Sequence, residues 1–493
     1  MFRFCTAFAF FIFAIARLPA ADKPNIVFLL ADDLGYGDLG CYGQKKIRTP
    51  NIDGLAGRGM RFTNFYAGSN VCAPSRCCLM TGKHPGHGYI RENKAVQPEG
   101  QEPVPADYLQ FPLTMQKLGY TIGGFGKWGL GPVGSTGDPL QQGFARFYGY
   151  NCQGVAHNYY PTHLWDNEKH IELRNPKFSA HQKLPADADL DDAASYARYK
   201  GVDYAPDLIT EQALAFLRAY KDRPFFLYFP TTIPHLALQV PDDSLKEYAE
   251  KFPEKPYVGD KDYLPHRQPH AAYAAMITRL DGYVGRIIAL VRELGLEEKT
   301  IFVFTSDNGP LWDRYGGTDS EFFNSAGGLR GHKGGYHEAG FREPCIVSWK
   351  GVIKPGTISD RVCGFEDWFP TILELIGAKD AIPGKIDGIS FASTLLDKEQ
   401  PAREFLYRES PGSGGQQCVR VGDWKAIRLN LNPDPKAAKQ TPGDIELYDL
   451  KNDPNETTNV AKDHPDIVAK MAEIMKREHV PSKLFPLRAI DGK

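Results

Sequence analysis

The chain has 493 residues, with 58 Lys and Arg set against 60 Asp and Glu for a net charge of −2. That balance excludes a global field for collecting nucleic acid, so an anionic ligand has to be held by local cations. The length suits one large domain with an appendage or two to three ordinary domains, and the nine cysteines are spread too widely for a small disulfide scaffold.

The chain opens with "MFRFCTAFAFFIFAIARLPAAD", in which Arg3 precedes an apolar run and Ala20 offers a small residue for cleavage. This reads as a secretory signal peptide over 1–21. Arg17 ends the run, and no later stretch reaches the about 18 apolar residues of a membrane span. The expectation is an exported protein, periplasmic or extracellular, with no stable membrane insertion after cleavage. Such a compartment permits disulfides, but spacing does not assign their pairing.

"NIVFLLADD" (25–33) is a continuous apolar run closed by two aspartates, which predicts a buried parallel strand. In "NVCAPSRCCLMTG" (70–82), Pro74 suits the first turn of a helix that Gly82 ends. Cys72 then sits at a helix N-terminus, where a plain thiol would be acidic and an anion favoured. A buried structural cysteine is the plainer alternative. Cys77–Cys78 is not a C-x-x-C, and paired zinc spacing is absent.

"TIGGFGKWGLG" (121–131), "PFFLYFPTTIPH" (224–235), "TIFVFTSDNGP" (300–310) and "PCIVSW" (344–349) predict further strands. Between them, 207–220 and 271–295 carry apolar residues at helical spacing, the latter stopped by Gly295. The alternation predicts an α/β domain over 22–390, a large parallel or mixed sheet covered by helices on both faces. From about 390 the texture changes to the short strands "REFLYRES", "QCVRVGDWKAIRL" and "IELYDL", a polar loop at 432–444 and the amphipathic "DHPDIVAKMAEIMKREHV". This predicts a C-terminal subdomain over 391–493, a small antiparallel sheet with a closing helix.

In open α/β sheets, ligands gather beyond the C-terminal ends of the strands. Asp32 and Asp33 fall there on one strand, Asp307 and Asn308 on another. Each pair by itself could cap a helix or turn. Brought together, three carboxylates and an amide with no histidine nearby suit Ca²⁺, or Mg²⁺, rather than zinc.

"CAPSR" matches the C-x-P-S-R signature of type I sulfatases, and "LMTGKHP", "GKWGLG", "SDNG" and "GLRGHKGGYHEAGFREP" resemble further motifs of that family in order. The likeness runs over about residues 24 to 480. It implies the alkaline-phosphatase-like fold and a sulfuric ester hydrolase. It also implies conversion of Cys72 to Cα-formylglycine by a formylglycine-generating enzyme. A hydrated aldehyde offers two hydroxyls, one to attack sulfur and one whose deprotonation lets the adduct collapse. By the same resemblance Asp32, Asp33, Asp307 and Asn308 are metal ligands and residue 72 completes the shell. Arg76 holds the residue-72 hydroxyl, Lys127 and Lys333 contact sulfate, and His235 in "TTIPHLAL" is a general acid. The family's histidine after Lys-Trp, which touches the formylglycine hydroxyl, is Gly129 here; His87, His332, His337 or a water are candidates to fill the gap.

"FYGYNCQGVAHNYYPTHLWDNE" (147–168) and "GHGYIREN" (86–93) mix aromatic and polar residues, as a sugar site does. They nominate His87, Arg91, Asn93, His157 and His163 as substrate-binding residues for a sulfated carbohydrate or aryl sulfate; a packed aromatic loop is the alternative. Two competing functions share these motifs. One is a formylglycine-dependent phosphodiesterase or phosphonate hydrolase, against which the two lysine motifs argue. The other is an inactive glycan-binding relative, against which the intact acids, Cys72 and Arg76 argue.

Overall fold

A computed structural model describes residues 23–312, 314–432 and 442–491. The expected leader and most of the 432–444 loop lie outside the described residues. The strands in chain order are β1 (Asn25–Asp32), β2 (Met60–Tyr66), β3 (Thr121–Lys127), β4 (Arg146–Tyr150), β5 (His163–Asp166), β6 (Lys169–Glu172), β7 (Phe225–Pro234), β8 (Thr300–Ser306), β9 (Arg342–Ser348), β10 (Thr357–Ser359), β11 (Cys363–Gly364), β12 (Leu406–Ser410), β13 (Gln416–Val421), β14 (Trp424–Arg428) and β15 (Ile445–Asp449).

The large sheet runs β10-β2-β9-β8-β1-β7-β3-β4-β5-β6, with β11 beside β2. Its centre, β8-β1-β7-β3-β4, is parallel. The predicted strand at 344–349 is antiparallel to both β8 and β2, which makes the sheet mixed. The apolar runs of β1, β7 and β8 are buried throughout because helices cover both faces. Val27 and Leu29 face a layer that includes the Ala205–Tyr220 and Pro269–Glu293 helices, while Ile26, Phe28 and Leu30 face Phe111 and Trp368 on the other side. Each such side chain contributes about 1.5–3 kcal/mol of burial. Phe28 meets Trp368 edge-on at 5.3 Å, and Phe28→Ala would cost about 3–5 kcal/mol.

Strands β12 to β15 form a separate four-stranded antiparallel sheet. The Pro465–Glu478 helix covers it through Met471, Ile474 and Met475, against Tyr407, Val419 and Leu447. Phe391 and Leu395 still belong to the large core, so the small sheet starts at Leu406 rather than where the texture changes. Buried ion pairs lock the two parts together: Arg408 to Glu366 at 2.8 Å and Lys425 to Glu338 at 2.8 Å. Among the described residues the eight cysteines are all free, and no helix is long and apolar enough to cross a membrane.

Candidate active site

Four neighbouring parallel strands deliver the residues singled out above at their C-terminal ends. Asp32 closes β1, and Asp33 follows in the left-handed region at φ 64°, which turns the chain at once. Asp307 and Asn308 follow β8, whose Ser306 is in register with Ala31, so the two acidic ends lie side by side. His235 follows β7 and Lys127 closes β3. Lys127 can be presented there because Gly126 passes so close to β7 that a Cβ would stand 1.9 Å from the Pro230 carbonyl oxygen.

Cys72 is the first residue of the Cys72–Thr81 helix, with Val71 extended before it and Gly82 left-handed after it. Its Sγ lies 3.6 Å from Asp32 Oδ1, 3.6 Å from Lys127 Nζ and 3.5 Å from Lys333 Nζ. Lys127 pairs with Asp32 at 2.7 Å and Lys333 with Asp33 at 2.8 Å. One turn along the helix, Arg76 grips Asp307 at 2.8 and 3.0 Å, stands 3.4 Å from Asp32 and donates to the Lys127 carbonyl. These side chains are buried. Three carboxylates therefore face three cations, and a divalent cation together with a dianion would leave that balance unchanged.

Ligand atoms of Asp32, Asp33, Cys72 and His235 lie within 4.8 Å of one another, so the expectation of no histidine nearby fails: β7 brings His235 to the acids from a distant part of the chain. The carboxylates and the Asn308 amide still offer the oxygen donors that a hard cation takes. Asn308 donates its amide nitrogen to Asp33, while its Oδ1 is buried with no hydrogen-bond partner. An unsatisfied buried acceptor costs about 1–3 kcal/mol, and a cation held by the carboxylates would satisfy it.

Burial dominates the electrostatics. It pushes Asp307 up to about 6, helped by Asp32 and opposed by Arg76. Burial would also raise Asp32, but Lys127, His235, Arg76 and Lys333 together hold it below the usual carboxylate range. The thiol of Cys72 is pushed up to about 12, because burial outweighs Lys127 and Lys333. Burial therefore acts against the acidity expected of a thiol at a helix N-terminus. Burial, then Lys333 and Lys127, depress His235 well below the ordinary histidine range. Its Nδ1 faces the Leu236 carbonyl at 2.7 Å, and its Nε2 stands 3.5 Å from Asp33.

The nominated substrate residues separate. Asn93 reaches the centre, accepting from the Ala73 backbone N–H at 3.0 Å beside Cys72. His157 stacks on His235, with ring centroids 4.9 Å apart at 11°. Arg91 is buried, and its guanidinium is engaged by Glu409, the Gly88 carbonyl and the Val480 carbonyl. His87 pairs with Asp387 at 2.8 Å, and His163 pairs with Glu99 at 2.9 Å on β5. A cleft of about 550 Å³ opens at Lys333 between Trp312, His332, His337, Ser413, Gln416 and Asn430, so the small sheet forms one of its walls.

None of the histidines considered for the gap at Gly129 fills it. The three atoms nearest to where its side chain would begin all belong to Gln153, which Gln101 contacts in turn. Sequence reasoning passed over Gln101, Asn151 and Gln153. All three are uncharged; Asn151 and Gln153 fall within the aromatic and polar stretch 147–168 read above as a sugar site, but that reading nominates only its histidines.

The model described as Sulfatase matches residues 24–378, and that described as N-sulphoglucosamine sulphohydrolase, C-terminal, matches 332–480. An N-acetylgalactosamine-6-O-sulfatase of Bacteroides thetaiotaomicron is 31% identical over 92% of this chain and 93% of its own. Human arylsulfatase A is 33% identical over 90% of this chain and 85% of its own. The crystal structure of Ps i-CgsB in complex with k-i-k-neocarrahexaose superposes with a TM-score of 0.74 at 26% identity, covering 92% of each chain.

Proposed function

The chain belongs to the sulfatase family and is a sulfuric ester hydrolase, and from that premise we propose that it removes sulfate from a sulfated carbohydrate outside the cytoplasm, using Cys72 converted to Cα-formylglycine and one Ca²⁺ ion. The observation that carries this reading is the enclosure of Cys72 by Asp32, Lys127 and Lys333 within 3.6 Å.

Asp32, Asp33, Asp307 and Asn308 would hold the ion. When in place, the ion and the aldehyde hydrate supply a polarised sulfuryl oxygen and a nucleophilic hydroxyl. The remaining work falls to the chain's own side chains. Lys127 and Lys333 neutralise sulfuryl oxygens from fixed positions, at little reorganisation cost because Asp32 and Asp33 already orient them. Arg76, held by Asp307, keeps residue 72 and the acidic strand ends in register. His235 is the candidate to protonate the departing oxygen. That role needs the negative charge of bound substrate to offset the burial and the two lysines that otherwise keep its ring neutral, and His157 stacks on that ring. Because Cys72 is buried, the maturation enzyme has to meet it before the chain folds.

Two things support a sugar substrate. One relative is named for N-acetylgalactosamine 6-O-sulfate, and a solved neighbour holds an oligosaccharide. The cleft at Lys333 carries a half-exposed aromatic face, Trp312, beside the polar Ser413 and Asn430. Assay of N-acetylgalactosamine 6-sulfate against the matching phosphate ester tests the proposal. Sulfate release with little phosphate release is expected, and preferential phosphate release would overturn it.

A further inference from the structure

Five adjacent parallel strands, β8, β1, β7, β3 and β4, run toward the same end of the sheet. Four of them lead to Asp307, Asp32, His235 and Lys127. The fifth, β4, ends at Tyr150, in register with Lys127, and Asn151 and Gln153 come next. Both amides are buried, as is Gln101.

Gln101 Nε2 donates to Gln153 Oε1 at 2.7 Å, which fixes how the Gln153 amide faces. Gln153 Nε2 is left without a partner, and so are Gln101 Oε1 and both polar atoms of Asn151. Buried polar atoms are normally paired, so the unpaired atoms of the joined Gln101 and Gln153 side chains, with Asn151 two residues before Gln153 in the chain, point to a polar ligand beside the strand end next to Lys127.

Gly129, two residues past Lys127, has φ 85°, and a Cβ there would lie 2.8 Å from Gln153 Nε2. The Gln153 amide therefore takes the room of any side chain at 129. Gln101 belongs to the loop that follows Asn93, and Asn93 in turn holds the Ala73 N–H beside Cys72.

We propose that Gln153 is a substrate-binding residue whose Nε2 donates a hydrogen bond to an oxygen of the sulfate group held between Lys127 and residue 72, with Gln101 as its positioning residue. This rests on the reading of that centre as the sulfate site. An amide neither gains nor loses a proton here, so Gln153 binds the anion without taking part in proton transfer, and its contribution does not change with pH across the neutral range.

Calorimetric titration of inorganic sulfate into the mature, Ca²⁺-loaded protein tests this, using Gln153→Ala, the near-isosteric Gln153→Glu, Gln101→Ala and Lys127→Ala. Loss of a hydrogen bond to a charged group predicts about tenfold to a hundredfold weaker sulfate binding for Gln153→Ala. The loss should be larger still for Gln153→Glu and smaller for Gln101→Ala. The kcat/KM of Gln153→Ala should fall by a similar factor with an unshifted pH profile, and any drop in melting temperature should be shared by Gln101→Ala, because either change breaks the same buried hydrogen bond. A crystal with sulfate should place Nε2 in hydrogen-bond contact with a sulfate oxygen. Sulfate affinity within about twofold of the parent in both Gln153 variants overturns the inference, as does a structure in which Nε2 meets only a buried water. If Lys127→Ala abolishes sulfate binding while the Gln153 variants keep it, this inference alone fails. If Lys127→Ala also leaves binding intact, the sulfate-site reading fails with it.

Discussion

Asp32 and Lys127 close on each other at 2.7 Å although β7 lies between the strands that carry them. The pair bridges the C-terminal end of a whole strand, where neither side chain has water to relieve its charge. It ties the acids proposed to hold the cation to a lysine proposed to contact sulfate, so disturbing one side is felt by the other.

Lys127→Ala leaves Asp32 with one cation fewer. Breaking a buried pair from one side typically costs about 3–5 kcal/mol, so the metal-free variant should melt well below the parent. Added Ca²⁺ should restore much of the difference, because the ion replaces the lost positive charge. Activity should be lost on glycan and aryl sulfates alike. Scanning calorimetry with and without Ca²⁺, beside both assays, checks this; a variant that Ca²⁺ does not stabilise would contradict it.

Asn308→Ala removes the one unpartnered oxygen of the acidic cluster while leaving all three carboxylates. The variant should fold, bind Ca²⁺ more weakly and lose activity in step with metal content. Elemental analysis after dialysis, followed by titration with Ca²⁺ and with Mg²⁺, measures the loss and identifies the ion. Full metal content together with full activity would remove Asn308 from the shell.

His235→Ala should cost about 10²–10⁴-fold on a glycan sulfate, whose alcohol leaves poorly without a proton, and much less on an activated aryl sulfate. Lys127→Ala is the control that harms both. Equal losses for His235→Ala on the two esters would leave it as a binding or structural residue.

Glu366 predicts an acid limb in stability. Burial alone would raise its pKa, but Arg408 and Arg403 outweigh burial and hold it at about 2 against an ordinary 4.5. A depressed carboxylate contributes fully above its unfolded pKa, and the contribution fades as pH falls from there toward about 2. Its neighbour Asp367 is raised by burial and shifts the other way, so comparison with Glu366→Gln isolates the Glu366 share. Urea unfolding should show the variant weaker by about 3–5 kcal/mol at neutral pH, with the gap narrowing between about pH 5 and 3. A gap that stays constant with pH would show that the loss is not one of charge pairing.

Much of this was legible in the chain itself. The run at 25–33 reads as a doubly covered strand because six successive apolar residues, Ile26 to Ala31, leave no polar face, and all eight residues of β1 are buried. The acids at 32–33 and 307–308 could be paired because a parallel sheet brings strand ends to one side. What stayed hidden depends on contacts between distant segments. Arg91 looked like a ligand-binding cation, but Glu409 and Val480 reach it from the C-terminal part of the chain. Burial acts against the acidity expected of Cys72, and no local pattern shows that burial. Gln153 meets the space beside Gly129 only through the register of β4 on β3, and a neutral amide advertises no chemistry.

The central claim is that Cys72 does not act as a cysteine. Intact-peptide mass spectrometry across residue 72, on protein made in cells that install formylglycine and shown to be active, tests it most directly. The account predicts a peptide lighter than the cysteine form, with an aldehyde that a hydrazide captures, in proportion to specific activity. A fully active preparation in which residue 72 is wholly unmodified cysteine would contradict it.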